Sequence, residues 1–589
     1  EMTESDDNFF NSPKVNDSDL VIDKKNIVTI EGNLYQYGFT NYGGCENVNI
    51  FNAYTKDASI TVTGDENNNM YGNIIALNAV ERIKNSVVAA QSSPAAVNAY
   101  KHKGVITVKD WIGQAIGISS PSIAYNAMDN GNGSIDISVK PNSENSQQLG
   151  ATGISGSYDV YNAYNTQENG TTTGDINITV NRGSIYQEYS DIHGMGLWYS
   201  DTQNGYPATI INAFNGGKGN ITITINNVEQ DGGSPAVGVG MYAVQGHLLA
   251  NAYGNNSVGN ITITSSGISY GNGIDLYGKR VWLGSAYNAY GEGATGYITI
   301  NGNGNGIIGG EGLDGFHDGR LSNADNGAKG YITINGLGRG MSCGSSDSKY
   351  KNNGYCFNGS NGGYGYITIN VPENAESFSQ EDLPSDFPFK AVGILSGHNG
   401  SPSLGVGTIK ITNNSDKSVV GVYNGNNYAN STITITGNAY VPEKTEDNKL
   451  YGTYGIYRDD DTLINYGKIN ISMTNSKEIS SVYGIYTKDV NAVNYGDITI
   501  SARNGYHAGM YNASANNNLY NYGTITFLKS GAHLYQTYFS DVGLFNVNNG
   551  IGGKIILKDT ADYGSSGNNI GIAAYRPDAY QGEYTIYNG

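Results

Sequence analysis

Cysteine is almost absent from this chain, with 3 in 589 residues, and basic charge is scarce and dispersed. Lysine and arginine number 33 against 52 acidic residues. The net charge of −19 argues against nucleic acid and against anionic lipid headgroups as partners. No apolar run approaches the ~20 residues a helix needs to cross a bilayer. The opening EMTESDDNFFNSPK has neither a basic start nor an apolar core, so no signal peptide stands there. The histidines, His102, His193, His247, His317, His398, His507 and His533, are scattered singly, and no His/Cys set has zinc-ligand spacing, so neither metal nor cofactor is expected.

What the chain has instead is glycine, 83 residues, and tyrosine, 47, arranged in one phrase repeated along its length. NYGKINI (465–471), NYGDITI (494–500) and NYGTITF (521–527) are late copies. Earlier ones begin with NAY or a relative at Asn52, Asn98, Asn126, Asn162, Asn212, Asn251, Asn288 and Asn323, and FNGSNGGYGYITI begins at Phe357. The grammar is Asn, a small residue, an aromatic, a polar Gly/Asn turn and an alternating strand. A second phrase, VVGVY, TYGIY, VYGIY, HAGMY and DVGLF, recurs every 25–34 residues in the last third. A fixed period of this length marks a stacked-repeat architecture.

Runs such as ITITI (221–225) alternate with period two and are bounded by Gly and Asn, which is the strand signal. A coil of two or three such strands cannot bury its inward face alone, but stacking buries it against the coils above and below at about 4.8 Å per step. The expected fold is all-β, a single elongated right-handed parallel β-helix of roughly 15–17 coils, a count that follows from the chain length and the repeat period. Residues 1–44 are expected as an N-terminal cap or leader and 45–589 as the helix itself. If each phrase's Asn falls at one corner, Asn52, Asn98, Asn126, Asn162, Asn212, Asn251, Asn288, Asn465, Asn494 and Asn521 can stack as an amide ladder. This is a structural role, weighed against a functional one.

The pattern breaks between about 301 and 390, where protruding insertions are expected. NGNGNGIIGGEGLDGFHDGR (301–320) gathers Asp314, His317 and Asp318. The segment 336–356 carries Cys343 and Cys356, a short-range pair expected to form a disulfide in an oxidising space, with Cys45 left alone. VPENAESFSQEDLPSDFPFK (371–390) holds Phe378, Phe387 and Phe389 among Pro372, Pro384 and Pro388. These breaks are either tolerated loop insertions or a contact surface in which the three phenylalanines form a knob stiffened by proline. Asp314, His317 and Asp318 are the companion candidates.

Catalysis finds little support. Polygalacturonase-like β-helices carry a paired Asp, a Gly-His-Gly and an Arg-Ile-Lys in that order, whereas here RIK (82–84) precedes DDD (459–461) and the histidine stands in GHN (397–399). RDDD (458–461) reads better as a solvated acidic turn, of the kind that can hold calcium loosely. The Gly-Asp-Ser-Gly of chymotrypsin-like proteases is missing, and no catalytic residue is assigned.

The alternation of YGIY (454–457, 483–486) with INYGKINI and VNYGDITI resembles the passenger domains of bacterial type V autotransporters, particularly the adhesin and self-associating members, from about residue 45 to 589. The resemblance implies a rod exported across the outer membrane and anchored by a C-terminal β-barrel that is missing here, so the segment itself does not insert into a membrane. It implies a cell-surface or extracellular adhesin that is not an enzyme and that promotes adhesion, aggregation or biofilm formation and contributes to virulence. The expected partners are a second copy of the chain, a host surface protein or a glycan. The alternative is a polysaccharide-degrading β-helix enzyme or a phage tailspike-like glycan-binding protein.

Overall fold

The computed structural model describes residues 8–11, 27–31, 37–40, 49–64, 73–78, 95–120, 123–140, 149–156, 158–182, 190–197, 209–227, 235–243, 248–276, 284–309, 320–343, 356–376, 378, 383, 387–437, 452–473, 481–502, 507–513, 517–528, 541–545, 547–558, 570–573 and 587–588. Among them the regular elements are all strands, without a helix. The chain divides into two compact units, Glu1–Arg320 and Leu321–Gly589.

In the first unit the strands repeat in threes, one per side of a coil. Sheet A runs from Asn8–Asn11 through Ile123–Met128 to Ser285–Tyr290, sheet B from Ile27–Glu31 through Asn132–Lys140 to Thr295–Asn301, and sheet C from Tyr37–Thr40 through Leu149–Gly156 to Gly304–Gly309. Each holds eight strands, and each strand pairs in parallel with its counterpart one coil away. This is a parallel β-helix. The segment expected as a cap or leader already supplies one strand to each sheet, with Asn8 opposite Asn49, Ile27 opposite Ser59 and Tyr37 opposite Ile75.

The second unit keeps sheets B and C, from Lys329–Asn335 to Lys554–Lys558 and from Gly338–Ser342 to Ile570–Ala573, again with eight strands each. Its third side changes. Leu321–Asp325 and Cys356–Phe357 pair as in the first unit, single bridges follow at Phe357–His398, Asn399–Asn427 and Asn427–Asn465, and short strands then resume with Leu463–Asn465, Ala492–Asn494 and Leu519–Asn521. The expected insertions are thus interleaved with coil strands: Gly304–Gly309, Gly338–Ser342 and Phe389–Leu395 lie within 301–395 as members of sheet C.

Register explains why the alternation is so regular. Ile106, Ile135, Ile176, Ile221, Ile261 and Ile298 stand opposite one another on successive coils and are at most 1% exposed. A matching column in the second unit includes Ile332, Ile367, Ile409 and Ile433. Burying one such side chain contributes about 1.5–3 kcal/mol, and a one-residue slip would turn the whole column outward.

The asparagines form the expected ladder. In the first unit Asn52 Nδ2 donates to Asn98 Oδ1 at 2.7 Å, Asn98 to Asn126 at 2.9 Å, Asn126 to Asn162, Asn162 to Asn212 and Asn212 to Asn251 at 2.8 Å, and Asn251 to Asn288 at 2.9 Å. The second unit has its own: Asn323, Asn358, Asn399, Asn427, Asn465, Asn494, Asn521 and Asn549, each donating to the next at 2.7–2.9 Å. The other amide hydrogen of Asn358, Asn399 and Asn427 reaches a Thr or Lys carbonyl of the following coil's strand. At most rungs it goes to a glycine carbonyl just downstream, as from Asn162 to Gly174 at 2.8 Å and from Asn212 to Gly219 at 2.9 Å. That glycine is required by space, because a Cβ at Gly219 would overlap the carbonyl oxygen of Asn212. In the turn between them Asn215 and Gly216 adopt φ of 49° and 80°, a left-handed pair that Asn and Gly tolerate best.

Replacing Asn162 or Asn494 with Ala strands a buried donor on one side and a buried acceptor on the other, an expected loss of about 2–5 kcal/mol. Denaturant unfolding of the full chain checks this, with Asn177→Ala, an outward residue of the same strand type, expected to stay within about 1 kcal/mol.

Candidate interaction surface

The outward side of sheet B is where the repeat presents chemistry to solvent. Inward Ile alternates with outward Thr, Asn or Tyr, so parallel register turns each outward position into a row. On three consecutive strands of the first unit these rows are Asn220, Asn260 and Tyr297, then Thr222, Thr262 and Thr299, then Thr224, Thr264 and Asn301. None of these nine side chains is charged, although the chain as a whole is strongly acidic. Tyr297 is 41% exposed. The row is held by amide bonds of its own, Asn220 Nδ2 to Asp175 Oδ1 at 2.7 Å and Asn260 Nδ2 to Asn220 Oδ1 at 2.8 Å. The second unit repeats the theme with Tyr331 and Tyr366, whose rings stack 4.8 Å apart above Thr333 and Thr368.

Tyrosine columns are the second outward feature. In the second unit Tyr466, Tyr495 and Tyr522 follow the ladder asparagines, stack at 5.1 and 5.3 Å, and are 45%, 49% and 39% exposed. Another column, Tyr423, Tyr457, Tyr486 and Tyr511, stacks at 4.9, 5.4 and 5.0 Å. Tyr423 and Tyr457 are buried in it, and burial raises the Tyr457 phenol far above its usual range.

The phenylalanine knob is corrected by the structure. Phe387 and Phe389 are 6% and 2% exposed and pack with Val392, Leu395, Val420, Tyr423, Tyr454 and Tyr457. They alternate with the less buried Pro388 and Lys390 at the start of a sheet C strand, so their rings belong to an aromatic core and are not available to a partner. Phe378 is half-buried. Asp314, His317 and Asp318 lie outside the described residues, as do Cys45 and the RIK at 82–84. Cys343 and Cys356 form the expected disulfide, with Cα atoms 6.1 Å apart and both residues buried.

Of the pieces that raised catalysis, His398 and the RDDD run meet, in one hydrogen-bonded network. Arg458 Nε donates to Asp460 Oδ1 at 2.7 Å and Nη1 to Asn426 Oδ1 at 2.6 Å, while the Asn426 backbone N–H donates to His398 Nδ1 at 3.0 Å. Asp459 accepts from Asn424 Nδ2 at 2.9 Å. These bonds tie one coil corner to the next. Enclosure lowers the His398 pKa to about 4, with the Arg458 charge adding to the effect, so the ring is neutral at ordinary pH. Gly-x-Ser-x-Gly occurs twice, at 267–271 and 340–344, but Ser269, just before a sheet C strand, and Ser342, at the end of one, are both buried, and Ser342 Oγ accepts from Arg339 at 2.6 Å. Among the described residues no group of three or more His, Cys, Asp or Glu could hold a metal ion.

Two outcomes follow. Phe389→Ala, which empties the centre of the aromatic cluster, is expected to cost about 3–5 kcal/mol in denaturant unfolding, a loss that an exposed binding residue would not produce. His193, buried and stacked 4.5 Å from Tyr242, has its pKa lowered by burial to about 4 from 6.5. Its stabilising neutral form is therefore fully populated above pH 6.5, and the stability it carries falls as pH drops from 6.5 to 4, by at most ~3 kcal/mol. Urea titrations across that range, compared with His193→Gln, measure the slope, which the variant is expected to reduce.

No protein-family model, curated protein or solved structure matches the chain, which leaves its outward faces as the basis of a functional reading.

Proposed function

We propose that this chain is the non-catalytic passenger of a bacterial cell-surface adhesin, and that it promotes adhesion and aggregation through many weak contacts along its outward faces, with a second copy of itself as the leading partner. The observation that carries the reading is the uncharged Asn/Thr/Tyr patch on strands Lys218–Asn227, Val258–Ser265 and Thr295–Asn301. Two copies of a chain with net charge −19 repel over most of their surface, and a patch free of charge is where they can approach at least cost. Hydroxyl, amide and phenol groups at a fixed pitch offer hydrogen bonds and ring contacts that are individually weak and gain strength by repetition. The likeness of the repeat to autotransporter passengers supports export to the cell surface, and the Cys343–Cys356 disulfide fits an oxidising compartment.

The engaged state of Arg458, Asp459 and Asp460 favours this reading over a polysaccharide-cleaving one, since a general acid and its partner need to face a substrate.

Placing Asp at Thr222, Thr262 and Thr299 together is expected to abolish the concentration-dependent dimer of the purified chain in sedimentation velocity, and clumping of cells that display it, with the β-sheet circular dichroism unchanged. Undiminished self-association would sink the choice of patch. A chain that stays monomeric at every concentration would remove the self-partner and leave a host protein or glycan as the contact.

A further inference from the structure

The exposed tyrosine column of the second unit has a geometry that the proposed contacts do not use. Tyr466, Tyr495 and Tyr522 each follow a ladder asparagine and precede a glycine, Gly467, Gly496 or Gly523. Their main chains are clamped in register, because the Tyr495 N–H donates to the Asn465 carbonyl at 2.8 Å and the Tyr522 N–H to the Asn494 carbonyl at 2.7 Å. Beneath them the amides of Asn465, Asn494 and Asn521 are bonded in series. The rings are nearly parallel, at 7° and 14°, and stand 5.1 and 5.3 Å apart. The following glycines have no side chain with which to cover the ring edges, and all three rings are more than a third exposed.

The geometry points to this column as a site of oxidative cross-linking, at which a peroxidase-type one-electron oxidant joins neighbouring tyrosines through their ring carbons and so links successive coils without cysteine. In each event two phenols lose one electron and one proton apiece, and the two phenoxyl radicals couple through a new bond between Cε atoms. The two Cε hydrogens leave as protons when the rings regain aromaticity, and the phenolic oxygens take protons back. With hydrogen peroxide as the terminal oxidant, two tyrosines and one peroxide give one dityrosine and two waters.

Proximity supplies most of what the coupling needs, since the second radical forms beside the first and does not have to diffuse to it. The rings must tilt about their side-chain bonds to bring Cε atoms together, which exposed side chains can do. The buried column supplies the contrast. Tyr423 and Tyr457 stack at the same spacing, but they are packed against Phe387 and Phe389, and burial holds their phenols protonated far above the usual range. Both the tilt and the loss of the proton to solvent are hindered there. Tyr253–Tyr290 and Tyr331–Tyr366, half-buried pairs at 4.7 and 4.8 Å, are intermediate cases.

The test is to treat the purified full chain with horseradish peroxidase and hydrogen peroxide at low protein concentration, digest it, and identify cross-linked peptides by mass spectrometry. The expected result is a link of Tyr466 to Tyr495 or of Tyr495 to Tyr522, within one chain and insensitive to dilution. Tyr495→Phe, an exposed change that leaves the circular dichroism intact, is expected to remove both links. Absence of these links, dityrosine found only between chains, or links concentrated in the Tyr423–Tyr457 column would each overturn the proposal.

Discussion

Everything in this protein hangs on one side chain at one corner of each coil. A buried primary amide in an apolar interior costs more than it returns unless both hydrogens and the carbonyl find partners. The asparagines meet that demand collectively: one hydrogen goes to the next Asn, the other to a backbone carbonyl, most often of a glycine of the same coil, and the oxygen accepts from the Asn before. A single such residue would be a liability, but in a column each rung supplies the partner its neighbours need. The ladder therefore tolerates any number of coils and no missing rung.

Two further constraints follow from it. Bringing the amide close to the following strand leaves no room for a Cβ there, which is why glycine stands at Gly219, Gly259, Gly296 and Gly330 before each Ile-Thr-Ile run. The spacing from Asn to that glycine is otherwise free. It is 12 residues from Asn162 to Gly174 and collapses to 2 from Asn494 to Gly496, while the amide distance to the next rung stays at 2.8 Å. The long turn of the NAY coils and the tight NYG corner are thus alternative ways of closing one coil around one fixed contact.

That economy sets what could be read from sequence. Where Asn is followed by a small residue and an aromatic, its place in the column was legible, and so were the strands and the disulfide. So was the place of Asn465, Asn494 and Asn521, where Tyr-Gly follows; Asn323 and Asn358 were left out of the expected ladder, and Asn399 and Asn427 were missed because no strand marks the corner they occupy, which they join through isolated bridges. Asn549 was hidden by a second asparagine beside it. The error over Phe387 and Phe389 has a plainer cause. Proline and acidic residues upstream suggested a loop, yet the apolar run Ala391–Leu395 that follows, bounded upstream by Phe387 and Phe389, already has the length and composition of a buried strand.

The same division separates the parts of the molecule that can carry a function from those that cannot. Inward positions are fixed by stacking, so Ile, Asn and Gly recur whatever the protein does. Outward positions inherit the pitch of the scaffold but not its composition, so any residue placed there twice becomes a row and three times a surface. Threonine rows, an uncharged patch on an acidic chain and a bare tyrosine column are choices in this sense, because inward stacking does not dictate them. The function we propose for this scaffold acts through such a periodic surface. The corner at Arg458 follows the same logic: the guanidinium reaches Asn426 and Asp459 pairs with Asn424 on the preceding coil, while Asp460 braces the guanidinium within its own corner.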